Sequence, residues 1–424
     1  MNYKKYNNKI DIHTIKINKF KYCAIEIVFK NKIEDTNITN MIMLKKFLTY
    51  SCKKYPTKRD LSIKLEELYN ASLNSFVYTK GKYIYTIISL DFLNPKYCEN
   101  NYINELIDLL HEIVMKPNIN NGIADSRTFT IIKNRTQSDI ETQKEIPSFY
   151  AKLRSLYHMD KDSISSMSPD GTIEELNKIN ENNLIDIYNF LLNKSECELY
   201  ISGNMDMDNI TNIINNKIKL STNLKVDNKD KIILNKLKNK PTDITEEGNY
   251  EQDTLIVIYN TNDLTDRERF FTFNLFNFIL GSGGLTSKLY KYVREENSLC
   301  YNIYSNFSKY DSLLMIGAGI NAKDKDKCLE LINKALKEMN EGIYTDEEID
   351  NAKKNITNSL AAAYDSPYRI IANYENYIDD NIPLPEERIK IYNSITRKEL
   401  LDLSKKIKLN TIYLLKGSDH NEKN

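Results

Sequence analysis

Phe278-Ile-Leu-Gly-Ser-Gly-Gly-Leu-Thr-Ser-Lys-Leu-Tyr-Lys-Tyr-Val-Arg-Glu-Glu-Asn-Ser-Leu-Cys-Tyr301 changes character twice within one short run. Gly281, Ser282, Gly283 and Gly284 break a regular element, because glycine gains most where the backbone turns tightly or lets another chain come close. Leu285, Leu289, Tyr292 and Val293 then recur at helical spacing, whereas Leu299, Tyr301, Ile303 and Ser305 alternate as a half-buried strand does. The stretch reads as a loop that opens a helix, and the helix feeds a strand. Arg294 ends that helix and Tyr301 lies seven positions on. Both are candidates for binding, weighed against the plainer roles of helix-dipole partner and core tyrosine.

The same alternation of strand and helix runs through the whole chain. Tyr22 to Phe29 is β-branched and strand-like, Asn37 to about Cys52 carries apolar residues at helical spacing, and Asp60 to Tyr69 reads as a second helix. Strand-like runs follow at Leu73 to Tyr78 and Tyr83 to Leu90. A helix spans Ile103 to Met115 and stops before Pro117, and Asp125 or Ser126 caps a long helix running to about Thr142. The second half repeats this order. Thr254 to Tyr259 corresponds to Cys23 to Phe29, Leu329 to Met339 to the helix at Ile103, and Asp365-Ser-Pro367 to Glu145-Ile-Pro147. Each half closes on a strand and a small polar turn, at Leu199 to Asp206 and at Tyr413 to Asp419.

The expected fold is therefore α+β: two homologous domains, each a mostly antiparallel sheet with helices packed on one face. Residues 1–216 make the first domain and 253–424 the second. The Lys-, Asn-, Asp- and Thr-rich run 217–252, with Pro241, is a linker carrying at most one short element. A chain of 424 residues is long enough for two such cores.

Gly281 to Ile303 resembles the signature of the second domain of insulinase/pitrilysin-type zinc peptidases, the inverzincins. The resemblance covers nearly the whole chain and implies a duplicated, clamshell-half fold. It also implies a substrate-binding role for Arg294 and Tyr301 beside the glycine loop of Gly281, Ser282, Gly283 and Gly284. Within the family, Tyr55-Pro-Thr-Lys-Arg-Asp-Leu and Leu65-Glu-Glu-Leu-Tyr-Asn-Ala-Ser-Leu are most similar to a bacterial subgroup associated with aminopentanol modification of elongation factor P. The family's zinc motif, His-x-x-Glu-His, falls on a helix near the start of the first domain. Registering Cys52-Lys-Lys-Tyr-Pro-Thr on the family puts Ile42, Lys45 and Lys46 at the three motif positions, and registering Phe129 and Pro147 puts Asp139 at the third-ligand position. Isoleucine offers no donor atom, and adjacent lysines are charged at neutral pH.

No slip of register restores the site, because the histidines are His13, His111, His158 and His420. His111-Glu112 lacks a second histidine, since position 115 is Met115. There is no Gly-x-Ser-x-Gly elbow, no phosphate loop, and no convincing nucleophile–histidine pair. Fifty-nine basic and fifty-nine acidic side chains cancel, which removes the electrostatic footprint of a nucleic-acid binder. Cys23, Cys52, Cys98, Cys197, Cys300 and Cys328 form no Cys-x-x-Cys pair and read as small buried hydrophobes. No apolar run approaches a membrane span and no leader is recognisable, so a cytoplasmic location is expected.

The resemblance implies a pseudoenzyme that is not catalytic alone. It would be the substrate-binding subunit of a heterodimer whose His-x-x-Glu-His partner carries the zinc, with no cofactor of its own. The alternatives are a structural scaffold or assembly protein derived from a peptidase, and a homodimeric peptide-binding module.

Overall fold

The computed structural model describes residues 2–7, 10–220 and 231–418. His420, Asp419 at the end of the expected closing turn, and residues 221–230 of the expected linker lie outside them.

The strands are β1 (Asn2–Asn7), β2 (Asp11–Lys16), β3 (Tyr22–Lys32), β4 (Ser72–Lys80), β5 (Tyr83–Leu93), β6 (Ile119–Asn120), β7 (Ile123–Ala124), β8 (Glu196–Gly203), β9 (Thr242–Glu247), β10 (Asp253–Asn260), β11 (Cys300–Ser308), β12 (Leu313–Ile320) and β13 (Lys408–Lys416). A six-stranded sheet runs β1-β2-β8-β3-β5-β4, a five-stranded one runs β11-β12-β10-β13-β9, and β6 and β7 form a separate hairpin. Every pairing is antiparallel except β2 with β8 and β9 with β13. The two large sheets are built alike: β8-β3-β5-β4 corresponds strand for strand to β13-β10-β12-β11, with β2 in the place of β9. This is the α+β duplication expected from the sequence.

Local chemistry starts the helices. Asn37 accepts from the Asn40 backbone N–H at 2.8 Å and opens the helix Ile38–Tyr50. Thr57 and Asp60 cap each other's backbone at the start of Lys58–Glu67. Asp125 accepts from the Thr128 N–H at 2.9 Å ahead of Ser126–Lys144. Pro147 and Pro367 each stand first in a helix, where the missing N–H costs nothing.

The chain divides into two compact units, and these do not follow the two halves of the sequence. One comprises Met1–Ile140, Ser168–Lys231 and Tyr364–Asp380; the other comprises Glu141–Met167, Ile232–Ala363 and Asn381–Asn424. Boundaries at 216 and 253 leave the helices Pro147–Met159 and Pro367–Asp380 with the halves that encode them. Instead each helix belongs to the unit built around the other half's sheet. Amphipathic periodicity says that a helix has a face to bury, not which sheet receives it.

In the second unit Leu255, Val257 and Tyr259 pack on one face of β10 with Phe273, Leu289 and Leu331. The opposite face is covered as well: Ile256, Ile258, Tyr413 and Leu415 pack against Ala151, Leu156 and Met159 of the helix Pro147–Met159. In the first unit the corresponding face is charged. Lys30 bridges Glu198, at 2.6 Å, and Asp379; Lys80 meets Glu375 at 2.7 Å and Lys231 meets Asp380 at 2.7 Å. Tyr78 and Tyr85 donate to Glu375 and Asp379 at 3.0 and 3.2 Å. Burial disfavours the Lys30 charge, but Asp379 and Glu198 outweigh it and hold the ammonium above the usual lysine range. A helix docked in any other register would leave a buried charge unpaired, at a cost of several kcal/mol. Among the described residues no helix is long and apolar enough to cross a membrane.

Candidate functional site

The quoted stretch folds differently in its first half from its periodicity. Gly281 and Ser282 end a helical segment, Phe278–Ser282, wound with π-type hydrogen bonds. Gly281 is buried where an added Cβ would lie 2.5 Å from Ser305 Oγ and 2.7 Å from Leu289 Cδ1. Of the expected glycine loop, Gly281 therefore serves helix–strand packing and is not part of an open loop. The turn itself is made by Gly283 and Gly284. Gly284 has φ +59° and nothing within 4 Å of where its Cβ would be, so bare backbone faces outward there, beside the exposed Leu285.

The following helix also winds with π-type bonds from Tyr290 to Glu295, and the Glu296 N–H reaches Lys291 O at 2.9 Å. β11 lies at the edge of its sheet, and its register with β12 shifts between Cys300 and Ile303. Such irregularities re-aim side chains, and Tyr301 stands out 82% exposed. The π winding and the irregular edge bring Arg294 and Tyr301 together. The guanidinium carbon lies 5.0 Å from the Tyr301 ring centre and 4.7 Å from that of Tyr290. No hydrogen bond or ion pair commits the Arg294 guanidinium or the Tyr301 hydroxyl among the described residues. Two rings orient the arginine while all its N–H donors remain available.

The degenerate metal positions also come together in the first unit. Ile42, Lys45 and Lys46 lie on the helix Ile38–Tyr50, with Ile42 buried and the lysines half-buried. Lys46 Nζ lies 2.6 Å from Asp139 Oδ2 and donates to Thr136 Oγ1 at 3.2 Å. Lys45 donates to Ser75 O, on the edge strand β4, at 3.0 Å. An ammonium thus occupies Asp139. This donor set does not fit a zinc ion: one side chain lacks a donor atom, and two cations would repel the metal.

Other histidines and carboxylates are held in ion pairs within the fold. His158 Nε2 is 2.7 Å from Glu246, which also accepts from Tyr413 at 2.7 Å and from Arg154. Hydrogen bonding from Arg154, opposed by burial and helped by His158 and Tyr413, holds the Glu246 carboxyl down at about 2. His111 stands beside Glu112 on a partly exposed helix face. Burial pushes the thiols of Cys23 and Cys300 up to about 11 and that of Cys328 up to about 12, so none of these three is a thiolate nucleophile at neutral pH.

One cluster was invisible in the sequence. Asp11, His13 and Glu198 place potential ligand atoms within 4.8 Å of one another. Their register on β2 and β8 aligns them, a pairing that no local motif signals. The carboxylates already meet cations, Asp11 with Lys5 at 2.8 Å and Glu198 with Lys30. Burial holds His13 neutral, at about 4.

The structure matches that of a conserved protein from Enterococcus faecalis V583 with a TM-score of 0.91 over 100% of both chains, at 24% identity. It matches a peptidase M16 inactive domain from Pseudomonas fluorescens with a TM-score of 0.80 over 99% of both chains, at 18% identity. These likenesses establish the M16-like peptidase fold. Residues 178–356 match the family model described as "Peptidase M16 inactive domain". Over 412 residues the chain is 23% identical to "Probable inactive metalloprotease YmfF" of Bacillus subtilis, covering 96% of each protein. It is 31% identical over 101 residues to "Uncharacterized zinc protease YmxG" of the same organism, 23% of this chain and 24% of that protein. Over nearly its whole length, then, the chain is similar to a probable inactive metalloprotease, and its residues 178–356 to the M16 inactive domain, with Ile42, Lys45 and Lys46 at the positions where the resemblance expects the metal motif.

Proposed function

We propose that this chain is the non-catalytic, substrate-binding subunit of a heterodimeric zinc peptidase, in which a homologous His-x-x-Glu-His chain carries the metal and the chemistry. The observation that carries this reading is Arg294, held between the rings of Tyr290 and the exposed Tyr301 with no hydrogen bond to its donors among the described residues. Arg294 is pre-oriented beside the edge strand β11, where an extended peptide has main-chain groups to bond. Its planar fork and the Tyr301 hydroxyl match carbonyl or carboxylate oxygen of a peptide. Ser282 and Gly283 support the turn that leaves this approach open, and the chain itself needs no metal or other cofactor.

The test is peptidase activity of the chain reconstituted with its zinc-bearing homologue, with assembly verified first by size-exclusion. Arg294→Ala and Tyr301→Phe should each lower turnover on the order of a hundredfold, as removal of one oriented donor does elsewhere. Wild-type rates in both variants would reduce these residues to packing and refute the reading. The purified chain alone should hold no stoichiometric zinc by mass spectrometry. One tightly held zinc per chain, lost on chelation, would refute the proposed division of labour.

A further inference from the structure

We propose that the face carrying Lys45 and Lys46 binds a peptide carboxylate: the site where the family's motif would hold a metal is rebuilt here as an anion site. Four cations gather around the last two turns of the helix Ile38–Tyr50. Lys45 and Lys46 belong to the helix, Lys58 reaches back to Thr49 O at 3.5 Å, and the Arg135 guanidinium lies 5.5 Å from the Tyr50 ring centre. Asp139 pairs with Lys46, and Asp170 is the other carboxylate whose field acts on Lys45. Lys45 donates to a carbonyl, and among the described residues Arg135 meets a ring and no carboxylate.

The plain explanation is that cations sit well at a helix C-terminus. That end carries only about half a negative charge. Among the described residues Lys46 alone of the four has a paired carboxylate. Burial, followed by the neighbouring Lys46, holds the Lys45 ammonium below the usual lysine range, so at this site repulsion and desolvation outweigh Asp139 and Asp170. Half-buried ammonium with its charge unmet is expensive, and an incoming carboxylate supplies what Lys45, Lys58 and Arg135 lack. Ser75 O, which Lys45 holds, lies on the free edge of the six-stranded sheet, so an extended segment has a strand to run beside while an acidic group reaches the lysines.

This inference rests on the peptide-binding reading and deepens it: the substrate or partner segment is acidic, or presents its C-terminal carboxylate. The test uses the isolated chain, with no partner and no turnover, so its result is independent of whether a peptidase heterodimer forms. Fluorescence anisotropy would compare three labelled decapeptides of one sequence: a Glu-containing amidated form, its Gln-for-Glu amidated form, and the Gln form with a free C-terminus. Binding of the first indicates an acidic side chain and binding of the third a terminal carboxylate; either should weaken as salt rises. Lys45→Gln and Arg135→Gln should each weaken it about fivefold at low ionic strength, with unfolding midpoints checked by circular dichroism. The surface variant Lys58→Gln, which has the least to lose in folding, should act in the same direction. Equal binding of all three peptides, no binding of any at millimolar concentration, or affinities unmoved in all three variants would overturn the proposal.

Discussion

Replacing Glu26 by glutamine should raise the stability of the protein above pH 5 by an amount that grows with pH. Glu26 lies on β3, on the face that receives the helix Pro367–Asp380, and is 7% exposed. Three buried lysines on that face already answer Glu198, Glu375, Asp379 and Asp380, and Glu26 is surplus negative charge. Burial first, then Glu375 and Asp91, push its carboxyl from 4.5 up to about 8. The sign follows from proton counting. Between those values the folded chain holds a proton that the unfolded chain has released, so stability is full below about 4.5 and is lost as pH rises toward 8. One proton corresponds to about 1.4 kcal/mol per pH unit, so the wild-type penalty near pH 7 is about 3 kcal/mol. Glutamine keeps the shape, carries no proton to lose, and removes the penalty. Urea unfolding followed by far-ultraviolet circular dichroism at half-unit steps from pH 5 to 8.5 measures it. The difference between Glu26→Gln and wild type should start near zero and climb across the range. Parallel pH profiles would refute the reasoning, because they would mean that Glu26 is ionised in the folded chain throughout.

Two further substitutions probe packing. Lys30→Met strands Asp379 and Glu198 without their shared ammonium and should destabilise the first unit by about 3–5 kcal/mol; a loss under 1 kcal/mol by the same denaturation assay would show that the pairs are solvated. Gly281→Ala places a methyl against Ser305 and Leu289 and should cost about 1–3 kcal/mol, seen as a lower unfolding midpoint. If Gly281 served only to open a loop, the alanine variant would unfold like wild type.

The duplicated order of elements, and where most of them start, were legible in the residues alone. Those properties are local: Asn37, Thr57 and Asp125 cap backbone groups three residues away, and apolar spacing distinguishes the strand Tyr22–Lys32 from the helix Tyr102–Met115 without reference to anything distant. That Ile42, Lys45 and Lys46 offer no zinc ligand set is likewise a property of the side chains themselves. What tertiary structure alone decided depends on contacts far apart in the chain. The buried Lys30 and Lys80 meet Asp379 and Glu375, which lie 349 and 295 residues away on a helix that crosses to the other half's sheet. Gly281 reads as loop and is packed shut by Ser305 and Leu289. Arg294 and Tyr301, on a regular helix and a regular strand, have no reason in their spacing to meet; π winding and an irregular edge strand turn them toward each other. Periodicity records which face of an element is buried. Only packing settles what lies against that face, and the candidate site is made of such encounters.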